Sequence, residues 1–160
     1  MAVQRVKKGF SRGGAQEEKE FEQRVLDLAR VTRVTAGGKR MRFRACIAIG
    51  DKKGRVGVGV AKGADVASAI VKANRQAEKG LIRVTMVHDT IPHRVDAKFG
   101  AAIVMLKPAP AGTGVKAGGV VRVLLALAGV PNVVSKIFGS KNKINNARAT
   151  LLALQSFKTR

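Results

Sequence analysis

The sequence predicts an α+β chain: a three-stranded antiparallel sheet with one helix, then a two-layer domain of β3-α-β-α order. Three observations carry that expectation. Apolar residues alternate at every second position across much of residues 30–60, as half-buried strands require. Helical spacing replaces the alternation over residues 65–79, and the second half repeats the change of period and ends in a helix. The expected divisions are a basic and acidic N-terminal arm over residues 1–20, a first domain over 21–80 and a second over 81–160. At 160 residues in all, each domain can bury only a modest core.

Period alone leaves the first element open. Phe21, Val25 and Leu28 suit a helix, whereas RVTRVT at Arg30 to Thr35 is β-branched and alternating, which favours a strand for the later part. Gly37 and Gly38 supply a hairpin tip, and Lys39 to Gly50 returns as the second strand. On it Arg40, Arg42 and Arg44 share one face, while Met41, Phe43, Ala45, Ile47 and Ile49 share the other. After the turn GDKKGR, Val56, Val58 and Val60 continue the alternation and complete a meander. A helix follows from Asp65, its expected N-cap, to Lys79, with Val66, Ile70, Ala73 and Ala77 buried and Gly80 as the stop. This helix is the nearest cover for the meander's apolar face. On the other face Cys46, Ala48, Gly57, Gly59 and Ala61 are all small, so close approach by another element is expected there.

The second domain opens with an alternating segment from Leu81 to Val87, a turn at HDTIPH, and strands near Arg94 to Phe99 and Ala101 to Lys107. The connection PAPAGTGVKAGG leads into VVRVLLALAG, a helix stopped by Gly129 and Pro131. A strand is expected around Val133, Val134, Ile137 and Phe138, and Ile144, Ala147, Leu151, Leu154 and Phe157 mark the last helix.

Charge narrows the partners. The chain has 31 Lys and Arg against 10 Asp and Glu, a net charge of +21, and a polyanion such as nucleic acid relieves such self-repulsion. An anionic membrane is the rival, and a merely solvated basic face the bland alternative. After Asp96 there is no acidic residue, so the later cations must turn to water, backbone carbonyls or an outside anion. A single cysteine, Cys46, excludes an intrachain disulfide and any multi-cysteine zinc site. No stretch reaches the roughly 20 apolar residues of a membrane span. MAVQRVKKGFSRGG has no apolar run after its charges, so it does not read as a secretory signal, and a cytoplasmic setting is expected.

Enzyme chemistry finds little support. Gly112, Gly114 and Ala117 satisfy the spacing of a dinucleotide loop, but no acidic residue follows to hold a ribose, and Pro108 and Pro110 interrupt the tight turn. The helix start beside Lys116 could receive a phosphate, or the glycines could form a close-packed corner. His88 and His93 flank Asp89 on a proline turn and read as surface residues, not metal ligands. No cofactor, metal or small-molecule substrate is expected. With no Trp, no Tyr and six Phe, the chain lacks the aromatic platforms that splay out single strands, so backbone charge and the shape of folded RNA fit better. Gly-rich turns flanked by cations, GGKR and DKKGR, let the main chain approach phosphates.

VTRVTAGGKRMRFRA followed by IGDKKGRVGVGVAKG resembles the signature of the bacterial small-subunit ribosomal protein S-five family. TIPH, KPAPAGTGVKAGG, LAGV and GSKNKIN follow in the same family's order, so the resemblance spans roughly Phe21 to Leu154. It implies an N-terminal domain similar to double-stranded-RNA-binding domains, lacking the leading helix. It also implies contact with ribosomal RNA, neighbours S-four and S-eight, influence on decoding accuracy, and a share in the channel by which messenger RNA enters. The candidate RNA-binding residues are Arg30, Arg33, Gly37, Gly38, Lys39, Arg40, Arg42, Arg44, Lys52, Lys53, Arg55, Lys62 and Lys116. The segment Ala111, Gly112, Thr113, Gly114, with Gly118 and Gly119, lies where the family abuts S-four. Ala36 stands where many members have Lys, Lys116 replaces a usual aliphatic residue, and Lys143 stands where Pro is common. The other readings are a free-standing RNA chaperone or double-stranded-RNA binder, and a phosphotransferase on a similar scaffold.

Overall fold

The β-branched run Val31, Thr32, Val34 and Thr35 sits at the end of one long strand, β1 (Glu22–Thr35). The computed structural model describes residues 21–157, so the arm expected over 1–20 lies outside the described residues. β2 (Gly38–Gly50), β3 (Arg55–Gly63) and α1 (Val66–Lys79) complete the expected meander and helix. The helical alternative for Phe21, Val25 and Leu28 is not realised. A β-bulge breaks their alternation instead: Val25 pairs with Ile47 and Asp27 with Cys46, leaving Leu26 as the extra residue. Leu26 turns into the core, while Val25 stays 53% exposed.

The register of β2 on β3 corrects the expected assignment of faces. Ala45, Ile47 and Ile49 pair with Ala61, Gly59 and Gly57. All of these face α1, whose Ala69, Ala73 and Ala77 close the smaller of two cores. The small residues of β3 therefore admit the helix: a Cβ at Gly59 would collide with the Ala73 carbonyl oxygen, and one at Gly57 would lie 2.5 Å from that of Ala77. Val56, Val58 and Val60 turn the opposite way with Cys46 and Ala48, into the larger core shared with the second domain. Burial in that core pushes the Cys46 thiol up to about 11.

Beyond α1, the strand expected over Leu81 to Val87 shrinks to β4 (Ile82–Arg83), which pairs with β3 as fourth strand of the first sheet. Val87 and Thr90 form a single bridge around the HDTIPH turn, where His88 and Asp89 hold positive φ of 47° and 60°. Then come β5 (Val95–Phe99), β6 (Ala102–Pro108), β7 (Val115–Lys116), α2 (Gly119–Ala128), β8 (Val133–Gly139) and α3 (Lys143–Gln155). The β3-α-β-α order stands, with β7 as its third strand. The second sheet runs β5-β6-β8-β7. One face packs Val104, Leu106 and Val133 against Val121, Leu124, Ala147 and Leu154 of α2 and α3.

Polar details fix the ends. Asn142 caps α3 by accepting from the Ile144 N–H at 3.1 Å, and Lys143 begins the helix. Gly129, in the left-handed region at φ 81°, ends α2. Immediately before it, the carbonyls of Leu127 and Ala128 accept from Lys52 N and Gly54 N at 2.9 Å each, which ties the β2–β3 turn to the second domain.

Candidate nucleic-acid interface

β3 ends where Gly63 pairs with Phe43, but β1 and β2 continue for five more pairs, from Val31 with Arg42 to Thr35 with Gly38. A two-stranded ribbon therefore projects past the sheet by about 16 Å, at about 3.3 Å per residue. Its two-residue tip is Ala36 and Gly37, one position earlier than the glycine pair expected; Gly38 begins the return strand at φ 143°. The Thr35 hydroxyl closes the tip by donating to the Gly38 carbonyl at 3.0 Å.

Pairing decides what each side of the ribbon carries. Arg33 stands opposite Arg40, and Val31 opposite Arg42, so three guanidinium groups share one side. Arg30 and Lys39 lie on the reverse side with Thr32, Val34 and Met41. Arg30, Arg33, Lys39, Arg40 and Arg42 are all exposed, and none makes an ion pair or side-chain hydrogen bond with another described residue. Like charges directly opposite one another destabilise an isolated ribbon. The apolar side expected to lie on a helix does so only from Phe43 inward; Met41 and Val34 remain 52% and 73% exposed.

Along β2 the arginine side passes from solvent into the protein. Arg40 and Arg42 are open, Arg44 is half-buried, and Cys46 is fully buried. Asp27, brought to this side by the bulge, accepts from Arg44 at 3.5 Å and pairs with Lys143 of α3 at 3.3 Å. One carboxylate thus joins the base of the ribbon to the second domain. Arg44 ties β2 to β1 through that carboxylate, and its Nε is buried without a partner. Arg44→Gln should lower stability by about 1 kcal/mol, a Tm loss of about 2–4 °C in a thermal melt, because the pair is partly solvated. An unchanged Tm would show the pair to be idle.

The turn after β2 brings its cations beside acids of the same chain. Lys52 pairs with Glu22 at 2.6 Å, and Arg24 meets the same carboxylate at 3.0 Å. Hydrogen bonds from Lys52, then Arg24, hold the Glu22 carboxyl below its ordinary range. Arg55 pairs with Asp51 at 2.6 Å and lies 5.1 Å from the Phe21 ring centroid. Burial raises the Asp51 pKa, but hydrogen bonds from the Arg55 side chain and from the N–H groups of Arg55 and Lys53 outweigh it, and the net direction is down. Lys52 and Arg55, both sequence candidates for phosphate, meet acids of this chain and, like Lys53, remain exposed. Lys62 is exposed opposite Arg44 and extends the open cationic side.

Lys116 lies apart from the ribbon, on β7 of the second sheet. β7 also separates β6 from α2, so the glycine loop is not the tight strand-to-helix turn of a dinucleotide site. Gly112 and Gly114 hold φ of 84° and 72°, and Gly114 N donates to the buried Asn132 side chain at 3.1 Å. Asn132 also accepts from the Thr90 hydroxyl through its carbonyl at 2.6 Å. That link between the HDTIPH turn and the Ala111–Gly114 segment went unread in the sequence, since nothing local marks it. Gly118 caps α2 with Gly119 as its first residue.

Two α+β domains joined through one core, with a cationic ribbon that has no acid partner among the described residues projecting from the first, define a class of basic protein whose surface suits a polyanion. Residues 21–85 match the family described as "Ribosomal protein S5, N-terminal domain", and residues 97–160 match "Ribosomal protein S5, C-terminal domain". The chain belongs to the ribosomal protein S5 family, whose members are structural proteins and not enzymes. It is 53% identical over 139 residues to small ribosomal subunit protein uS5c of Spinacia oleracea, covering 86% of this chain and 45% of that one. It is 52% identical over 146 residues to uS5 of Gloeobacter violaceus, covering 91% of this chain and 66% of that one. With uS5c of Phaeodactylum tricornutum it shares 44% over 159 residues, 99% of this chain and 90% of that one. The chain thus spans about half to two thirds of the first two relatives' length. No described helix is long and apolar enough to cross a membrane.

Proposed function

We propose that the chain is a structural constituent of the small ribosomal subunit, holding folded ribosomal RNA mainly through phosphate contacts. The observation that carries this reading is the ribbon with five exposed cations that have no ion-pair partner among the described residues, a charge density that an RNA backbone would relieve. Arg30, Arg33, Lys39, Arg40, Arg42, Lys53 and Lys62 are its proposed phosphate partners, with Gly37 and Gly38 letting the main chain approach. Arg44 positions the ribbon. The relatives' names supply the setting: each is a small ribosomal subunit protein.

The same reading assigns the chain a part in subunit assembly, in translational accuracy, and in the channel by which messenger RNA enters, on cytoplasmic ribosomes. The Ala111–Gly114 segment with Gly118 and Gly119 is proposed to face S-four, and S-eight is the other proposed protein neighbour. Sedimentation of a native lysate tests this. The chain is expected to travel with small subunits in a one-to-one ratio, whereas a free-standing RNA chaperone or double-stranded-RNA binder would remain near the top of the gradient.

A further inference from the structure

The two domains do not close completely around their shared core. Where the bulged part of β1 meets α2, β8 and the start of α3, a cleft of about 540 Å³ remains, within the roughly 300–1,000 Å³ typical of small-molecule sites. Its walls are apolar: Val25 and Leu26 from the first domain, Val120, Val123 and Ile137 from the second. Leu26 stands there because the bulge turns it inward, so the slip that sets Asp27 beside Arg44 also shapes this wall.

Polar groups set into these walls point to a bound molecule. α2 begins at Gly119 on an N-cap, Gly118, that offers no side chain, and its first turn carries no acid. No described residue accepts from the N–H groups of Gly119 or Val120, and orphan donors at a helix start favour an anion. Lys141, at the rim, is exposed and has no ion-pair partner among the described residues, whereas Lys143 is held by Asp27. Asn146 also lines the cleft and is only 3% exposed. Its Nδ2 donates to the Ser140 carbonyl at 3.1 Å, but its Oδ1 is buried with no partner among the described residues. A buried acceptor of that kind is costly until a donor reaches it.

We propose that this interdomain cleft binds a small amphipathic acid: a compact apolar body, one carboxylate for Lys141 and the α2 N–H groups, and one O–H donor for Asn146. Charge complementarity selects the sign, because no Asp or Glu lines the cleft to repel an anion. The apolar walls select an organic acid over a bare inorganic anion, which would leave them in water and gain nothing from their burial. The site uses none of the ribbon's cations, so it stands whether or not the RNA reading does.

The test is a titration of the full chain with p-hydroxyphenylacetate at physiological salt, followed by NMR at the Gly119 and Val120 amides. Both signals should move and saturate, with a Kd of about 1 mM or tighter. Phenylacetate lacks the hydroxyl and p-cresol the carboxylate; each should bind at least about fivefold more weakly, the loss of one hydrogen-bonded contact. Inorganic phosphate should give no saturable shift. Shifts that never saturate, a comparator that binds as tightly as the parent acid, or phosphate saturating the same amides overturns the proposal. Gly119→Leu should abolish the Val120 shift with Tm within a few degrees of the parent, because a Cβ there meets nothing within 4 Å and the longer side chain fills the open space. If that variant fails to fold, Val25→Glu serves instead: on a side chain already 53% exposed it sets a carboxylate against the ligand's, and affinity should fall by about tenfold or more. Undiminished binding in the folded variant would place the molecule elsewhere and overturn the assignment.

Discussion

Replacing Arg40 and Arg42 together by Gln should weaken binding to small-subunit ribosomal RNA by roughly a hundredfold while leaving Tm within a few degrees of the parent. Both side chains are exposed, and neither has a partner to lose among the described residues. Each charged hydrogen bond to phosphate contributes about 1.5 kcal/mol at the low end, so two give about 3 kcal/mol. Stability should if anything rise slightly, because Arg40 faces Arg33 and the like charges repel. Filter binding and a thermal melt on the same preparation separate the two effects. Affinity within twofold of the parent would mean that the ribbon's arginines face something other than RNA.

Gly59→Val should cost the fold at least about 3 kcal/mol, a Tm loss of roughly 6–12 °C. The new Cβ would collide with the Ala73 carbonyl oxygen and lie 2.7 Å from Ala77 N. Both are backbone atoms of α1, so no side-chain rotation can relieve the overlap. The helix would have to lift, uncovering Ala45, Ile47 and Ile49, which it now buries almost completely. Gly37→Ala at the ribbon tip is the matched control, because nothing lies within 4 Å of a Cβ there. A Gly59→Val protein melting like the control would show that α1 is not seated as described.

Much of this architecture was legible because period-two and helical spacings differ plainly over Lys39 to Lys79 and from Val120 onward. What was not legible depends on parity and distance. Gly57, Gly59 and Ala61 alternate with Val56, Val58 and Val60, but the pattern cannot say which set meets the helix. The β2–β3 turn settles that by pairing Gly50 with Val56. β7 is two residues long and has no period to read, and the bulge at Leu26 leaves no local mark. At the interface, the exposure of Arg40 and Arg42 followed from alternation alone. Arg44 looked identical in sequence, and only the bulge that sets Asp27 on its side of the sheet gives it an acid partner. The acid partners of Lys52 and Arg55 were not legible for a similar reason: Glu22 and Asp51 reach them only once β1 lies beside β2 and the turn closes.

The dependence of RNA affinity on salt, measured for the isolated chain and for the Arg40→Gln, Arg42→Gln variant, tests most directly whether phosphate contacts hold this protein to RNA. If about 6 of the seven proposed cations engage phosphates, the parent should lose of order a thousandfold between 50 and 200 mM salt. The variant's slope of log affinity against log salt should be shallower by about 2, one for each contact removed. A flat response in the parent, or identical slopes for the two proteins, would contradict an interface built on the ribbon's arginines.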